Sequence, residues 1–489
     1  MRCVTNRAAR RRLPPLVALA IAGCAVGPDF HRPAAPPADH YLPATPPPSA
    51  PAAAAGQAAA AAPPRLVPGA ELSGEWWQLF HSPALQQAVA AALADSPTLA
   101  AATATLAEAE QQVAVARGGF WPRISGNAGA QHTAGTGGAP QLSPNVYSLG
   151  LSATYVLDVF GGTRRTVEQQ GALADLQRYQ QAAAYLALTG NVVSEALTIA
   201  STRLQIATTE ELIESDRKNL ALTEREFEVG TVARSDVLTA DSQLASDLTQ
   251  LPTLRQQLDA AKDALAVLTG HAPGEWSSHD FDIVEFTLPV EIPLALPSQL
   301  ARQRPDVLAA EAQLHAASAA IGVALAQEFP SLTLSGSLTR SALEPGALFH
   351  DFETLRQAGG AVAAPIFAGG ALRAQTESAR DAFKAQAATY EGVVVAALGQ
   401  VTDDLWALQN DADRLVVYRH SVDIASEALK LQQASYTVGK TSVLQLIDAQ
   451  RTYAQARLGL ATALIQQYQD AAGLLLALGG AWWKDPLPK

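Results

Sequence analysis

Few residues of this 489-residue chain are placed to do chemistry. The nine histidines stand singly, among them His81, His132, His271 and His279, and no His or Cys pair has metal-ligand spacing. There is no Gly-rich phosphate-binding loop and no Gly-x-Ser-x-Gly elbow, so phosphoryl transfer and serine-based hydrolysis lack their machinery. No enzyme, metal site or cofactor is expected. The two cysteines are Cys3 and Cys24, and Cys24 is the residue with a covalent role to read.

Cys24 ends a short export segment. Arg2, Arg7, Arg10, Arg11 and Arg12 form a cationic start, and Leu13 to Ile21 is an apolar stretch too short to span a bilayer as a helix. Ile21-Ala22-Gly23-Cys24 then resembles a bacterial lipobox, in which small residues precede a cysteine that is acylated and becomes the new N-terminus. Residues 1–23 are thus a signal peptide, and Cys24 carries an N-palmitoyl and an S-diacylglycerol group, the one covalent addition expected. Cys3 leaves with the signal, so Cys24 would otherwise be a lone thiol in an oxidising compartment. Cleavage near Ala22 with Cys24 incidental is the alternative. Ala25, in place of Asp, favours the outer membrane over the inner one.

Composition points away from compact catalytic domains. Charged residues are 16% and aromatics 6%, with long proline-free runs rich in Ala and Gln, as in extended helices with close contacts. The net charge of −12 becomes −17 when the five signal arginines are lost, which leaves no basic footprint for nucleic acid. Residues 24–70 form a linker, Pro/Ala-rich over 33–64 and unable to build a core.

The elements that position everything else come twice. Pro97, Pro122 and Gly161-Gly162 recur 208 residues later as Pro305, Pro330 and Gly369-Gly370. Gly230 recurs as Gly439 at 209, and Asp241/Gln243 pair with Asp448/Gln450 at 207. Two repeats follow, 71–285 and 286–480, with a tail at 481–489. Each begins with a helix ending near Pro122 or Pro330. Period-2 alternation then predicts strands at about 123–132 and 146–160 in the first repeat and 331–340 and 355–367 in the second. Ten to fourteen residues is the length of a tilted membrane strand. Four strands cannot enclose a pore, but three chains of four can; two soluble hairpins packed on helices are the alternative.

After each double glycine the chain runs without proline, over 162–229 and 370–438. A helix of that length is about 100 Å long. Gly230 and Gly439 are placed as helix C-caps before a returning helix. Val237, Leu244, Leu251, Leu258 and Leu265 form a seven-residue seam on the first return helix, and Pro252 predicts a kink or break in it.

The ordered set of motifs resembles the TolC-like outer-membrane efflux family, in its lipoprotein branch serving tripartite pumps of the RND type. The resemblance is carried by Cys24-Ala-Val-Gly-Pro-Asp-Phe with Arg32-Pro33, Trp76-Trp77 with Phe80, and Arg304-Pro305-Asp306-Val307. Phe329-Pro330, Pro365-Ile-Phe-Ala-Gly-Gly370, Tyr436-Thr-Val-Gly439 and Ile447-Asp-Ala-Gln450 complete it. It implies a mainly α fold with transmembrane β. A homotrimer would form a twelve-stranded outer-membrane β-barrel continuing into a periplasmic α-helical coiled-coil barrel. Its partners would be outer-membrane lipid, a periplasmic adaptor (membrane fusion protein) and an inner-membrane efflux pump.

The resemblance also assigns a periplasmic gate to the turn end of the helices. Asp448 would form an acidic ring, Asp236 would accept an inter-helix link, and Tyr436 would donate it. Gln445 stands where some members place a second Asp, and Lys440 substitutes for a basic partner absent at Thr441. Read from the residues alone, Asp236, Ser442 and Asp448 only cap and solvate the return helices. The expected function is passive conduction of small molecules out of the cell. A type I protein-secretion duct and a non-conducting coiled-coil lipoprotein scaffold are the alternatives.

Overall fold

The computed structural model describes residues 25–34, 40–42, 64–70, 72–132, 145–276, 279–480 and 482. Cys24, the signal peptide and most of the linker and tail lie outside them. The chain divides into two compact units, and each gathers pieces of both repeats. The first unit is Met1–Pro33, Leu106–Gln177 and Ala310–Tyr390; the second is Ala34–Thr105, Arg178–Ala309 and Glu391–Lys489.

The first unit holds a four-stranded antiparallel sheet of β2 (Arg123–His132), β3 (Asn145–Leu157), β5 (Ser331–Ala342) and β6 (Glu353–Ala363), in the order β2-β3-β5-β6. Its alternation sorts side chains by face. Ile124, Leu151, Leu334 and Leu338 share one face, and Ser125, Ser152, Ser335 and Ser337 share the other. Ser125 and Ser152 join through their hydroxyls at 2.9 Å. Every residue of β2 and of β6 is exposed, so neither face of these edge strands is covered.

Several strand ends differ from the sequence reading, and β5 runs to Ala342 where 340 was expected. β3 stops at Leu157, not 160, because the Asp158 carboxylate accepts from the N–H groups of Thr163 (2.8 Å) and Arg164 (3.0 Å) and starts the next helix. The last strand spans 353–363 and not 355–367; Pro365 has no N–H for a ladder.

The long helices are α3 (Gly162–Glu228) and α8 (Ala371–Thr437), each of 67 residues. They follow the shorter α1 (Pro83–Asp95) and α2 (Pro97–Arg117) in the first repeat, and α6 (Pro297–Gln303) and α7 (Pro305–Ala326) in the second. The return helices are α4 (Arg234–Leu248) with α5 (Gln250–Leu268), and α9 (Val443–Ala477). The break falls at Thr249, where Pro252 denies an N–H to the Leu248 carbonyl and its ring crowds it.

The second unit has the aromatic core. Trp76, Phe80, Leu85, Phe281 and Leu475 are fully buried there, and a short parallel pair, β1 (Arg65–Pro68) with β4 (Glu291–Leu294), packs at its margin. Among the described residues, α3 and α7 carry windows apolar enough to cross a bilayer, but 61% and 56% of those windows are buried inside the protein. Their apolar residues serve helix packing; the strands are the elements with an uncovered apolar face.

Candidate functional site

Both turns at the ends of the long helices, in the second unit, are built alike. Gly230 (φ 79°) and Gly439 (φ 71°) adopt the left-handed conformation that a Cβ would strain. In the first turn Gly230 N–H donates to Phe227 O at 2.9 Å and Thr231 N–H to Glu226 O at 2.8 Å. In the second, Gly439 N–H donates to Tyr436 O and Lys440 N–H to Ser435 O, both at 2.9 Å. These are Schellman closures, and they satisfy carbonyls that the helix end leaves free.

The return helices then start in register. Asp236 accepts from its own Ala233 N–H at 3.0 Å, and Gln445 from Ser442 N–H at 3.2 Å. Both occupy the third position of their helices, 209 residues apart. At that offset Asp448 matches Thr239, not Asp241, so the 207 spacing read from the sequence is replaced by one register of 209 along the whole return arm. Gln445 is a helix cap here and not a second acidic station.

Within the single chain, Tyr436 has an acceptor other than Asp236. Tyr436 donates its hydroxyl to the Glu226 carboxylate of α3. Burial, followed by that hydrogen bond and the Glu226 charge, pushes the phenol up to about 12, so it remains a donor at neutral pH. Tyr436 also packs with Leu220 beside the buried Ala240, Val443 and Ile447, which ties four helices together. Glu226 gives no sequence signal of its own; it is one of three acids alternating at 224, 226 and 228.

Asp448 is exposed on α9 and lines a cleft of about 510 Å³ with Gln432, Gln445 and Thr452. Lys440 is exposed, and its N–H closes the turn. Arg234 lies 5.7 Å from the centre of the Phe227 ring. The arrangement is a set of caps, a tyrosine–carboxylate link and exposed charge.

In the first unit, the residues after Cys24 are held by a buried arginine that sequence reading did not find. Arg165 donates from Nε to Val26 O (3.2 Å), and from Nη2 to Gly27 O (3.2 Å) and the Asp29 carboxylate (2.8 Å). Its Nη1 pairs with Glu168 at 2.7 Å, which in turn meets His315 at 3.0 Å, and the His315 ring stacks on Phe30. Arg32 adds an ion pair to Glu311 at 2.6 Å. The segment following the acylation candidate is therefore seated on α3 and α7, in the unit that carries the sheet.

A family model described as outer membrane efflux protein matches residues 88–271 and 296–480. Nodulation protein T of Rhizobium leguminosarum bv. viciae is 32% identical over 415 residues, 83% of this chain and 84% of that protein. The pyoverdine export outer membrane protein OpmQ of Pseudomonas aeruginosa is 30% identical over 424 residues, 84% of this chain and 88% of its own length. Among solved structures, the outer-membrane channel OprN matches with a TM-score of 0.83 at 26% identity, covering 94% of this chain and 100% of that one.

Proposed function

This chain belongs to the outer membrane efflux protein family, and from that premise we propose how its sheet and its helical hairpins make a conduit. It is the outer-membrane channel of an efflux system, and its relatives are channel and export proteins, not enzymes. The observation that carries the mechanism is the two-faced sheet with both edge strands uncovered. An open sheet edge is not tolerated in hydrocarbon, where every N–H and C=O needs a partner. Three copies joined β6 to β2 close twelve strands into a barrel; the leucine face meets lipid and the serine face lines water.

Acylation at Cys24 supplies a second anchor, and the Arg165 contacts keep that anchor beside the strands. The energy for transport comes from an inner-membrane pump of RND type, reached through a periplasmic adaptor at the turn end of the helices. Small polar linings such as Ser148, Ser152 and Thr154 select weakly, so the pump chooses the cargo. Small toxic molecules and exported metabolites, of which the pyoverdine of one relative is an example, are the class expected. Closure of the resting channel falls to Tyr436 with Glu226, to the exposed Asp448 ring and to Lys440.

Cysteines placed at Asn127 of β2 and Gln357 of β6 test the assembly in the full-length protein. Cross-linked dimers and trimers on a non-reducing gel, together with stepwise ion conductance in planar bilayers, are the expected result. A protein that stays monomeric and passes no current is a scaffold and not a duct.

A further inference from the structure

The two turn glycines give both hairpins a common ruler. Counting back from each in steps of seven, one seam is apolar from Phe227 to Val192 and from Tyr436 to Val401. Its companion seam, starting seven residues before each glycine, is polar at every position but Ala425. It runs Thr223, Asp216, Thr209, Thr202, Glu195 in the first hairpin and Gln432, Ala425, Tyr418, Asp411, Asp404 in the second. Seam positions face a partner helix, so these polar groups are enclosed. Asp216 is 2% exposed and Asp411 0%.

Each buried carboxyl meets another across its hairpin. Asp216 of α3 faces Asp247 of α4, whose oxygens already accept from Gln243 (2.6 Å) and Gln250 (2.9 Å). Asp411 of α8 faces Asp470 of α9, which accepts from Gln466 at 2.9 Å. Among the described residues, no N–H or O–H is aligned to donate to either oxygen of Asp216, and Asp411 has only the ion pair with Arg414 on its own helix. Ionised carboxylates only accept, so two of them can bond only through a proton. The charged neighbours are few. Arg451 of α9 faces the first pair. Arg414, 3.1 Å from Asp411 on the same helix, faces the second. Asp404, one heptad farther from the turn, faces Asp470, Asp403 and Arg304.

We propose that each helical hairpin is latched by a carboxyl–carboxylate pair, closed while it holds a shared proton and sprung when that proton passes to water. Loss of the proton leaves two buried like charges, which repel and separate the long helix from its return arm. Burial first, then the partner's hydrogen bond and charge, pushes both Asp216 and Asp411 to about 7, and burial with neighbouring acids lifts Asp404 to about 6. The native hairpins then bind more protons than the unfolded chain between the ordinary carboxylate range and neutrality. Stability therefore falls as pH rises through that window and is lost above it. The latches act at different heights, two heptads from the turn in the first hairpin and four in the second. The first also lies beside the Thr249 break, where the return arm has least backbone support.

Hydrogen–deuterium exchange on the full-length protein in detergent, at pD 5.5 and 8.0 and corrected for intrinsic rate, tests this. In the wild type, peptides spanning 209–223 and 404–418 should exchange on the order of tenfold faster for each pH unit between the ordinary carboxylate range and neutrality, and level off above it. Asp216→Asn and Asp411→Asn, which bond to the facing carboxylate without a shared proton, should each keep the acid-pH protection at pD 8.0, in its own hairpin alone. Asp247→Asn and Asp470→Asn ask the same from the opposite helix should the first pair fold poorly. Protection in the wild type that ignores pH, or an unchanged loss in the Asn variants, overturns the proposal.

Discussion

Gly230 and Gly439 turn the two hairpins with the same hydrogen bonds, and the return arms that follow span 234–268 and 443–477 at one constant offset. Within that common frame the contents differ. The first arm is cut at Thr249 and the second is continuous; the first turn packs Phe227 under Arg234 and the second ties Tyr436 to Glu226. The difference teaches that the backbone of such a repeat is secured by its turns, caps and apolar seam. The polar seam and the turn side chains are then free to diverge, and divergence there changes how firmly each hairpin is held.

Moving first-hairpin residues into the second sharpens the comparison. Ala461 of α9 is the counterpart of Pro252 and is buried, so Ala461→Pro should import the break. A proline in a helix interior costs about 3 kcal/mol or more, and denaturant unfolding should show a loss of that size. The reverse change, Pro252→Ala, should protect Thr249 and its neighbours from exchange. If Ala461→Pro costs nothing, the continuity of α9 is not what separates the hairpins.

Gly459 is the counterpart of Gln250, and a Cβ built on it would overlap the Tyr418 ring. Gly459→Gln should therefore wedge α9 from α8, at about 1–3 kcal/mol of overpacking strain. A melting temperature equal to that of the wild type would mean that the Tyr418 contact yields freely. Tyr436→Phe installs the counterpart residue Phe227 and should cost least, about 1 kcal/mol, by removing one hydrogen bond to a partly exposed carboxylate. Its larger effect should be on conductance, raised when Glu226→Gln accompanies it. An unchanged conductance of the double variant would remove the Tyr436–Glu226 link from the gate.

Much of this was legible in the residues. The strand at 123–132 and the one read at 331–340, both turn glycines and the helix break upstream of Pro252 follow from alternation, φ preference and the missing N–H, which are local causes. The candidate gate was legible only as a neighbourhood. Asp236 bonds to the N–H three residues before it, the capping that the residues alone suggested, and Gln445, placed where some members of the family have an Asp, does the same. A short polar side chain near a helix start finds that donor first.

The chain's own pattern determined the duplication, the two-faced strands and the length of the helices, because each depends on residue spacing along a regular element. Tertiary structure alone decided which acid receives Tyr436, that Arg165 holds the segment after Cys24, and that Asp216 meets Asp247 and Asp411 meets Asp470. Those pairings join residues up to 210 positions apart. The rotation of one helix against another selects them, and no local preference encodes that rotation.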